Sequence, residues 1–322
     1  MALNLSGAEG YVVTMAQGPI LFDRALLHRR RWRARTLAPS GFLLERVAED
    51  FGERLGAVLR RFDLALDLGT PGDALRRALV TSGKVGTVIA ADALAHRTGR
   101  DDRASALIVV CDEEALPFRD ASLDLVTSAL SLQFVNDLPG TLVQIRRVLK
   151  PDGLFLAALI GGDTLTELRQ AFATAEAEIE NGVSPRVAPF ADVRDLGALL
   201  QRAGFALPVT DVDRLTVRYA TPLALMHDLR RMGATNTLVE RSRRPLKRSV
   251  LARMMESYGA RFADADGRIR ATFEIMWLSG WAPHESQQQP LKPGSAKTRL
   301  ADALGTQELS AGEKTGPGKR SQ

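Results

Sequence analysis

The sequence predicts an α/β protein built on a mostly parallel sheet with helices on both faces. Three observations predict it. Short apolar runs recur at Ala65-Leu-Asp-Leu-Gly69, Val88-Ile-Ala-Ala-Asp92, Val109-Val-Cys-Asp-Glu113, Leu123-Asp-Leu-Val126 and Leu154 to Ile160. Several of them end in Asp or Gly, and helix-like stretches separate them. That alternation marks βαβ units whose strands are buried on both faces. In such sheets ligands bind beyond the carboxyl ends of the strands, so the terminal acids and glycines are the first candidates for a site.

Residues 1–20 are punctuated by glycines and read as an arm. Leu21-Phe-Asp-Arg24 opens a basic helix in which Trp32, amid Arg29, Arg30, Arg31, Arg33 and Arg35, is the expected anchor and the arginines are expected to be solvated or paired. Pro39-Ser-Gly41 breaks it. A second helix over 42–60 carries Phe42, Leu43, Val47, Phe51 and Leu55 on one side. The first strand is Phe62–Gly69, followed by the turn Thr70-Pro-Gly-Asp73 and a helix over 74–82. Strands are expected at 85–92, 106–111 and 123–130, with a polar loop over 101–105. Leu138, Leu142, Ile145 and Leu149 space a helix that Pro151-Asp-Gly153 should end, before a strand over 154–160. Helices at 163–180, 191–203, 222–232 and 245–261 and strands at 207–219 and 270–278 complete a seven-stranded sheet. The expected division is an N-terminal arm and helical extension over 1–60, the sheet domain over 61–286 and a disordered tail over 287–322. That tail is too rich in Gln, Pro, Gly, Lys and Ser to order itself.

Composition bounds the function classes. The chain has 322 residues, 45% hydrophobic and 25% charged, as in ordinary globular proteins. Its formal charge of +5 is concentrated at 24–35 and 241–253, patches suited to an acidic protein, a membrane surface or nucleic acid. The single cysteine, Cys111, excludes an internal disulfide and a Cys-rich metal site. The longest apolar run, Leu154 to Ile160, is far short of a membrane span. The N-terminus has no signal-peptide pattern and no Arg in its first 23 residues, which points to a reducing cytoplasm. His28, His96, His227 and His284 show no metal-ligand spacing, and no nucleophile–base pair is readable.

The candidate site residues each carry two readings. Asp92 suits both hydroxyls of a ribose or caps a turn. Asp112 suits an amino-purine donor or a local Asx turn. Glu113 and Glu114 can equally be exposed. Asp67 can orient the Gly69 loop or hold an ammonium. Asp163, after Gly161-Gly162, reads first as a helix cap and second as part of a pocket.

In this order and spacing these residues resemble the class I S-adenosylmethionine (SAM)-dependent methyltransferases of type 11, a Rossmann-like fold. Leu66-Asp-Leu-Gly69 is similar to that family's glycine-rich motif. Asp92 stands where the ribose acid is expected, and Asp112-Glu113 where the adenine is gripped. Phe118-Arg-Asp-Ala-Ser-Leu-Asp-Leu-Val126, Phe134-Val-Asn-Asp-Leu138 and Val148-Leu-Lys-Pro-Asp-Gly153 continue the likeness. The resemblance implies SAM contacts from Asp67, Gly69, Gly72, Asp92, Asp112, Glu113 and Ser131. It implies substrate contacts from Gln133, Phe134, Asp163, Trp281 and His284.

A closer resemblance runs over most of the chain. Leu21-Phe-Asp-Arg24, Asp112-Glu-Glu114, Ser128-Ala-Leu-Ser-Leu132, Gly161-Gly-Asp-Thr-Leu165, Arg202-Ala-Gly-Phe205 and His284-Glu-Ser-Gln287 resemble the respiratory complex I assembly factors of methyltransferase fold and their bacterial relatives. That family is implicated in hydroxylating an arginine of an iron–sulfur subunit. The malonyl-carrier-protein O-methyltransferases of biotin synthesis are more distant relatives. The implied partner is a protein, with an iron–sulfur subunit of complex I the named candidate. DNA is not expected, and contact with the inner face of the membrane is compatible.

The glycine motif departs from the pattern. Pro71 and Asp73 replace two expected glycines, and Pro71 removes an N–H and fixes φ. Three function classes remain: a SAM-using enzyme acting on a protein or carrier, an arginine hydroxylase, and an assembly chaperone with a degraded pocket. Methyl transfer can proceed by proximity and alignment without a base. Hydroxylation needs an oxidant or metal that the sequence does not announce.

Overall fold

The structure, a computed structural model, describes residues 20–37, 41–94 and 107–288, with positions 302, 305 and 306. The expected arm, the loop over 101–105, the Pro39-Ser40 break and nearly all of the tail lie outside these residues. Contacts divide the chain into Met1–His284 and Glu285–Gln322, and the sheet with all its covering helices belongs to the first unit.

Seven strands form one sheet: β1 (Phe62–Leu68), β2 (Val85–Asp92), β3 (Leu107–Val110), β4 (Leu123–Ala129), β5 (Leu149–Gly161), β6 (Ala206–Tyr219) and β7 (Ile269–Trp281). Their spatial order is β3-β2-β1-β4-β5-β7-β6. β1 to β5 are parallel, and β7 runs antiparallel to both its neighbours. The order reverses between β1 and β4, the switch point where a crevice opens beyond the strand ends.

Alternate residues of β1 supply two cores. Ala65 points to a face covered by α2 (Phe42–Gly56), α3 (Ala74–Thr81), α5 (Thr166–Glu180), α7 (Pro222–Arg231) and α8 (Arg248–Phe262). Leu66 points to the face covered by α4 (Leu138–Val148) and α6 (Val193–Arg202). In α2, Leu43, Val47, Phe51 and Leu55 are buried as their spacing predicts, while Phe42 is 37% exposed.

Two elements depart from expectation. Pro151-Asp-Gly153 does not separate helix from strand. β5 begins at Leu149, and its register against β4 jumps from Leu123↔Leu149 to Leu125↔Leu154, so the tripeptide is a bulge. In α1 (Arg24–Ala34) the buried residues are Leu27 and Arg31, whereas Trp32 is 54% exposed. The expected anchor therefore faces outward, and an arginine takes the buried position because it has carboxylate and hydroxyl partners there. Asp23 caps this helix, its side chain accepting from the Leu26 N–H at 2.9 Å.

On α5, Glu176 is 0% exposed and is held by the Ser184 N–H at 2.7 Å and by Arg186. Burial alone would raise its carboxyl, but the Ser184 and Arg186 bonds outweigh burial and hold it below the usual range. Arg186→Leu strands that charge and should lower unfolding stability by about 3 kcal/mol at neutral pH. The lowered carboxyl contributes above the ordinary glutamate pKa and loses its contribution as pH falls through the depressed value. Urea melts of both proteins should therefore differ at neutral pH and converge in acid.

Candidate functional site

A cleft of about 910 Å³ lies at the carboxyl edge of the sheet. Pro71, Gly72 and Asp73 after β1, Asp92 and Leu94 at the end of β2, and Leu130, Gln133 and Phe134 after β4 form one wall. Ile160, Thr164, Leu165, Leu168, Phe172 and Phe273 supply apolar lining. α1 contributes Arg30, Arg31, Ala34 and Arg35, and the chain after α7 contributes Thr235, Asn236 and Thr237.

These last two segments are stitched to the sheet. Asn136 Oδ1 accepts from the N–H groups of Leu21 at 2.9 Å and Phe22 at 2.8 Å. Phe22 forms an antiparallel bridge with Leu238, and the Asp23 N–H donates to the Thr237 carbonyl at 2.8 Å. Arg241 closes the join with an ion pair to Asp23 at 3.2 Å. The Leu-Phe-Asp-Arg motif thus fixes where α1 enters, over the strand ends.

Asp92 is 4% exposed and lies in the cleft wall. One oxygen accepts from the Leu94 N–H at 3.0 Å, and Arg35 stands 3.6 Å from the other. The local turn and the cleft position coexist.

Asp112 and Glu113 are engaged by α1. Arg24 pairs with Asp112 at 2.7 Å and also with Glu113. Glu113 is 1% exposed, so the surface reading of this acid is corrected. It accepts from Ser131 Oγ at 2.9 Å, and Arg31 lies 3.8 Å away. Arg31 also donates to Ser131 Oγ at 3.3 Å and sits 5.4 Å from the Phe134 ring centre. Asp112 makes the Asx turn too, accepting from the Glu114 N–H at 2.9 Å. Glu113 and Ser131 therefore belong to a buried charge cluster under α1 and are not part of the cleft wall. Neighbouring Cys111 is pushed up to about 11 by burial and by the negative charges of Glu113, Asp112 and Asp92, so it stays a thiol at neutral pH.

The two glycines of the first loop separate by role. At Gly69, φ is +70°, and an added Cβ would meet Glu113 Oε1 and Ser131 Oγ at 2.5 Å each. Its close approach is to the cluster. At Gly72, φ is +78° and a Cβ would meet nothing within 4 Å. The loop backbone is open to the cleft there, beside Pro71.

Gln133 and Phe134 reach the cleft as expected of their place after β4. Gln133 donates from Nε2 to the Leu130 carbonyl at 2.9 Å, and its buried Oε1 has no hydrogen-bond partner among the described residues. Asp67 is buried within β1, between Ala90 and Thr127, and does not line the cleft. Asp163 is exposed beside the wall residue Thr164, its N–H donating to Glu274 at 2.9 Å. It does not cap α5, which starts at Thr166 after Leu165 with φ +56°.

Trp281 and His284 do not belong to this site. Because β7 is antiparallel, Trp281 pairs with Leu154 near the start of β5, at the opposite edge of the sheet from Gly161. Ala282 donates to the Gly153 carbonyl at 2.8 Å and holds the chain leading to His284 at that edge. Arg24, Asn136 and the segment 235–237 join the site without having been among its candidates in the sequence. The signal for Arg24 is its place in the Leu-Phe-Asp-Arg motif. The signal for Asn136 is its place in Phe134-Val-Asn-Asp-Leu138, and nothing local marks 235–237.

Comparison with known proteins bears on this arrangement. Residues 66–157 match the family described as "Methyltransferase domain". The chain is 39% identical over 292 residues to the protein named arginine-hydroxylase NDUFAF5, mitochondrial, from Danio rerio, covering 89% of this chain and 90% of that protein. The chain belongs to the NDUFAF5 family. The human protein of that name is 38% identical over 94% of this chain and 87% of its own length. A malonyl-[acyl-carrier protein] O-methyltransferase of Laribacter hongkongensis is 34% identical over 85% of this chain and 91% of its own. For a member of the NDUFAF5 family the methyltransferase fold is thus shown twice, by strand order and by relatives.

Whether SAM suits this NDUFAF5-family cleft turns on its donors and acceptors. A buried carboxylate at the end of β2 suits vicinal hydroxyls, and the Gly72 backbone leaves room for close approach. At the end of β3 the Asp112 acceptor is already oriented by Arg24. The group fits at Asp92 and Gly72, while Asp112 and Arg24 lie outside the cleft lining.

Proposed function

We propose that this chain binds SAM in the cleft at the carboxyl edge of its sheet and modifies a protein during assembly of respiratory complex I. The observation that carries the reading is the buried Asp92 carboxylate in the cleft wall of a chain related over nearly all its length to proteins named arginine hydroxylase. Those names favour an arginine as the modified residue and hydroxylation as the outcome, a C–H to C–OH step that would take its oxygen atom from dioxygen, with a two-electron reductant from outside the chain reducing the second oxygen to water. The iron–sulfur subunit of complex I, named by the sequence resemblance, is the proposed partner. Asp92 would hold the ribose and the Pro71–Gly72 turn the remainder, with Asp112 reaching the adenine only if its pair with Arg24 opens. SAM, where bound, would supply an electrophilic methyl group for methyl transfer and no oxygen for hydroxylation. The chain's own part is to bind, orient and exclude water. Gln133 Oε1, an acceptor awaiting a donor, would orient an N–H of the substrate.

The second reading, transfer of a methyl group to a carrier-bound carboxylate, is favoured by the malonyl-[acyl-carrier protein] O-methyltransferase relatives. Among the described residues no helix is long and apolar enough to cross a membrane. We place the chain in the bacterial cytoplasm, at the membrane face where complex I is built.

The test is peptide mass spectrometry of complex I subunits from a host lacking this gene, complemented with wild type or Asp92→Ala. Loss of an oxygenated arginine in the deletion, restored only by wild type, supports the reading. An unmodified subunit set in all strains, with complex I assembled normally, overturns it.

A further inference from the structure

Two basic segments of this chain meet beside the cleft, and Arg30, Arg31, Arg35, Arg230 and Arg231 from them line it. Residues 24–37 and 230–248 hold thirteen arginines and lysines against one acid, Glu240. That is a formal +12, of which Arg24, Arg31, Arg35, Arg231, Arg241 and Lys247 are paired with acids outside the two segments: Asp112, Glu113, Asp92, Asp228, Asp23 and Glu180. The two segments are distant in sequence and joined in space. Arg30 donates to the Asn236 carbonyl, Gly233 lies against the Arg31 backbone, and Leu246 lines the same cleft as α1.

Many of these cations face outward. Arg29, Arg33, Arg230, Arg231, Arg243 and Arg244 are exposed. Arg30 is held by a backbone carbonyl. Its pKa is lowered first by burial and then by Arg241 and Arg33, as expected of a cation in a positive local potential. Inside this rim the cleft is apolar, with Leu168, Phe172, Met226 and Phe273 in its lining.

We infer that the mouth of the cleft is the docking surface for an acidic segment of a partner protein, with carboxylates on the arginine rim and apolar side chains in the cleft. The inference rests on the protein-modifying reading above and names its substrate class: the modified residue is flanked by acidic and aliphatic neighbours. A cationic substrate side chain entering this mouth alone would meet like charge, and flanking carboxylates offset it. The lining is aliphatic at Leu165, Leu168 and Met226 as well as aromatic at Phe172 and Phe273, which favours a peptide over a nucleic acid, whose bases would use the aromatics alone. The exposed aromatic of α1 is Trp32, and Arg35 already lies 5.9 Å from its ring centre. A concave mouth also favours a peptide over a flat lipid surface.

The test is fluorescence anisotropy on the full chain with three labelled probes: an alternating Glu–Leu peptide, its Lys–Leu counterpart and oligouridine. Vesicles containing phosphatidylserine form a fourth arm. The expected result is binding of the Glu–Leu peptide alone, weakening as salt rises. Arg230→Glu with Arg231→Glu, exposed residues that line the mouth of the cleft, should weaken it on the order of tenfold, mainly through the on-rate. Circular dichroism confirms that the variant is folded. Equal or tighter binding of oligouridine or of the vesicles overturns the inference, as does a Glu–Leu affinity unmoved by the double reversal. Calorimetry with SAM on the same two proteins separates the claims. SAM binding without peptide discrimination sinks the docking surface alone. Peptide discrimination without SAM binding sinks the cofactor reading alone.

Discussion

Arg24→Met should lower stability by about 3 kcal/mol at neutral pH and release the N-terminal helix from the sheet. The reason is Glu113. Its carboxylate is almost wholly buried, and Arg24 is its closest cationic partner, with Arg31 more distant at 3.8 Å. Removing one member of a buried pair leaves the other desolvated and uncompensated, which costs more than the pair contributed. Asp112 loses the same partner but is more exposed, so water replaces much of what it loses. Denaturant melts should show the loss. Hydrogen exchange should show faster opening at Leu26 and Leu27 than in the strands. A double variant, Arg24→Met with Glu113→Gln, removes the stranded charge and should recover part of the stability. Full additivity of the two changes would mean that Arg24 and Glu113 are not coupled.

Gly69→Ala should be the more damaging of the two loop substitutions. Its φ of +70° costs an alanine about 1–2 kcal/mol by itself. The new Cβ would also stand 2.5 Å from both Glu113 Oε1 and Ser131 Oγ, atoms fixed by the cluster and unable to swing away. The expected total is about 3 kcal/mol or more. Gly72→Ala is the control. It has the same backbone strain but open space around the added methyl, so it should cost about 1 kcal/mol. Equal losses at both positions in thermal melts would show that backbone strain alone decides, and that the cluster has slack.

The pattern of the sheet is legible because burial on both faces writes itself into short apolar runs, as at Leu64 to Leu68 and Val88 to Ala91. The order of acids at strand ends locates Asp92 and Asp112 for the same reason. What stays hidden depends on long-range contacts. Glu113 reads as one more acid in Asp-Glu-Glu, and only the docking of Arg24 and Arg31 from some ninety residues away makes it a buried one. Trp32 looks like an anchor because large aromatics usually are. α1 instead turns Leu27 and Arg31 inward, since buried carboxylates await the arginine. Likeness in sequence order alone puts Trp281 and His284 among the site residues. The antiparallel direction of β7, which carries them to the far edge, has no local signature.

The central claim is that Asp92 and the loop after β1 form a working SAM site, although Pro71 interrupts the expected glycines. Isothermal calorimetry of the full chain with SAM, for wild type and Asp92→Ala, tests it most directly. The expected result is binding by wild type and a loss of roughly 1–3 kcal/mol in the variant, the contribution of charge-assisted hydrogen bonds to a hydroxyl pair. No binding by folded wild type at millimolar SAM, or an affinity unchanged in Asp92→Ala, would contradict it.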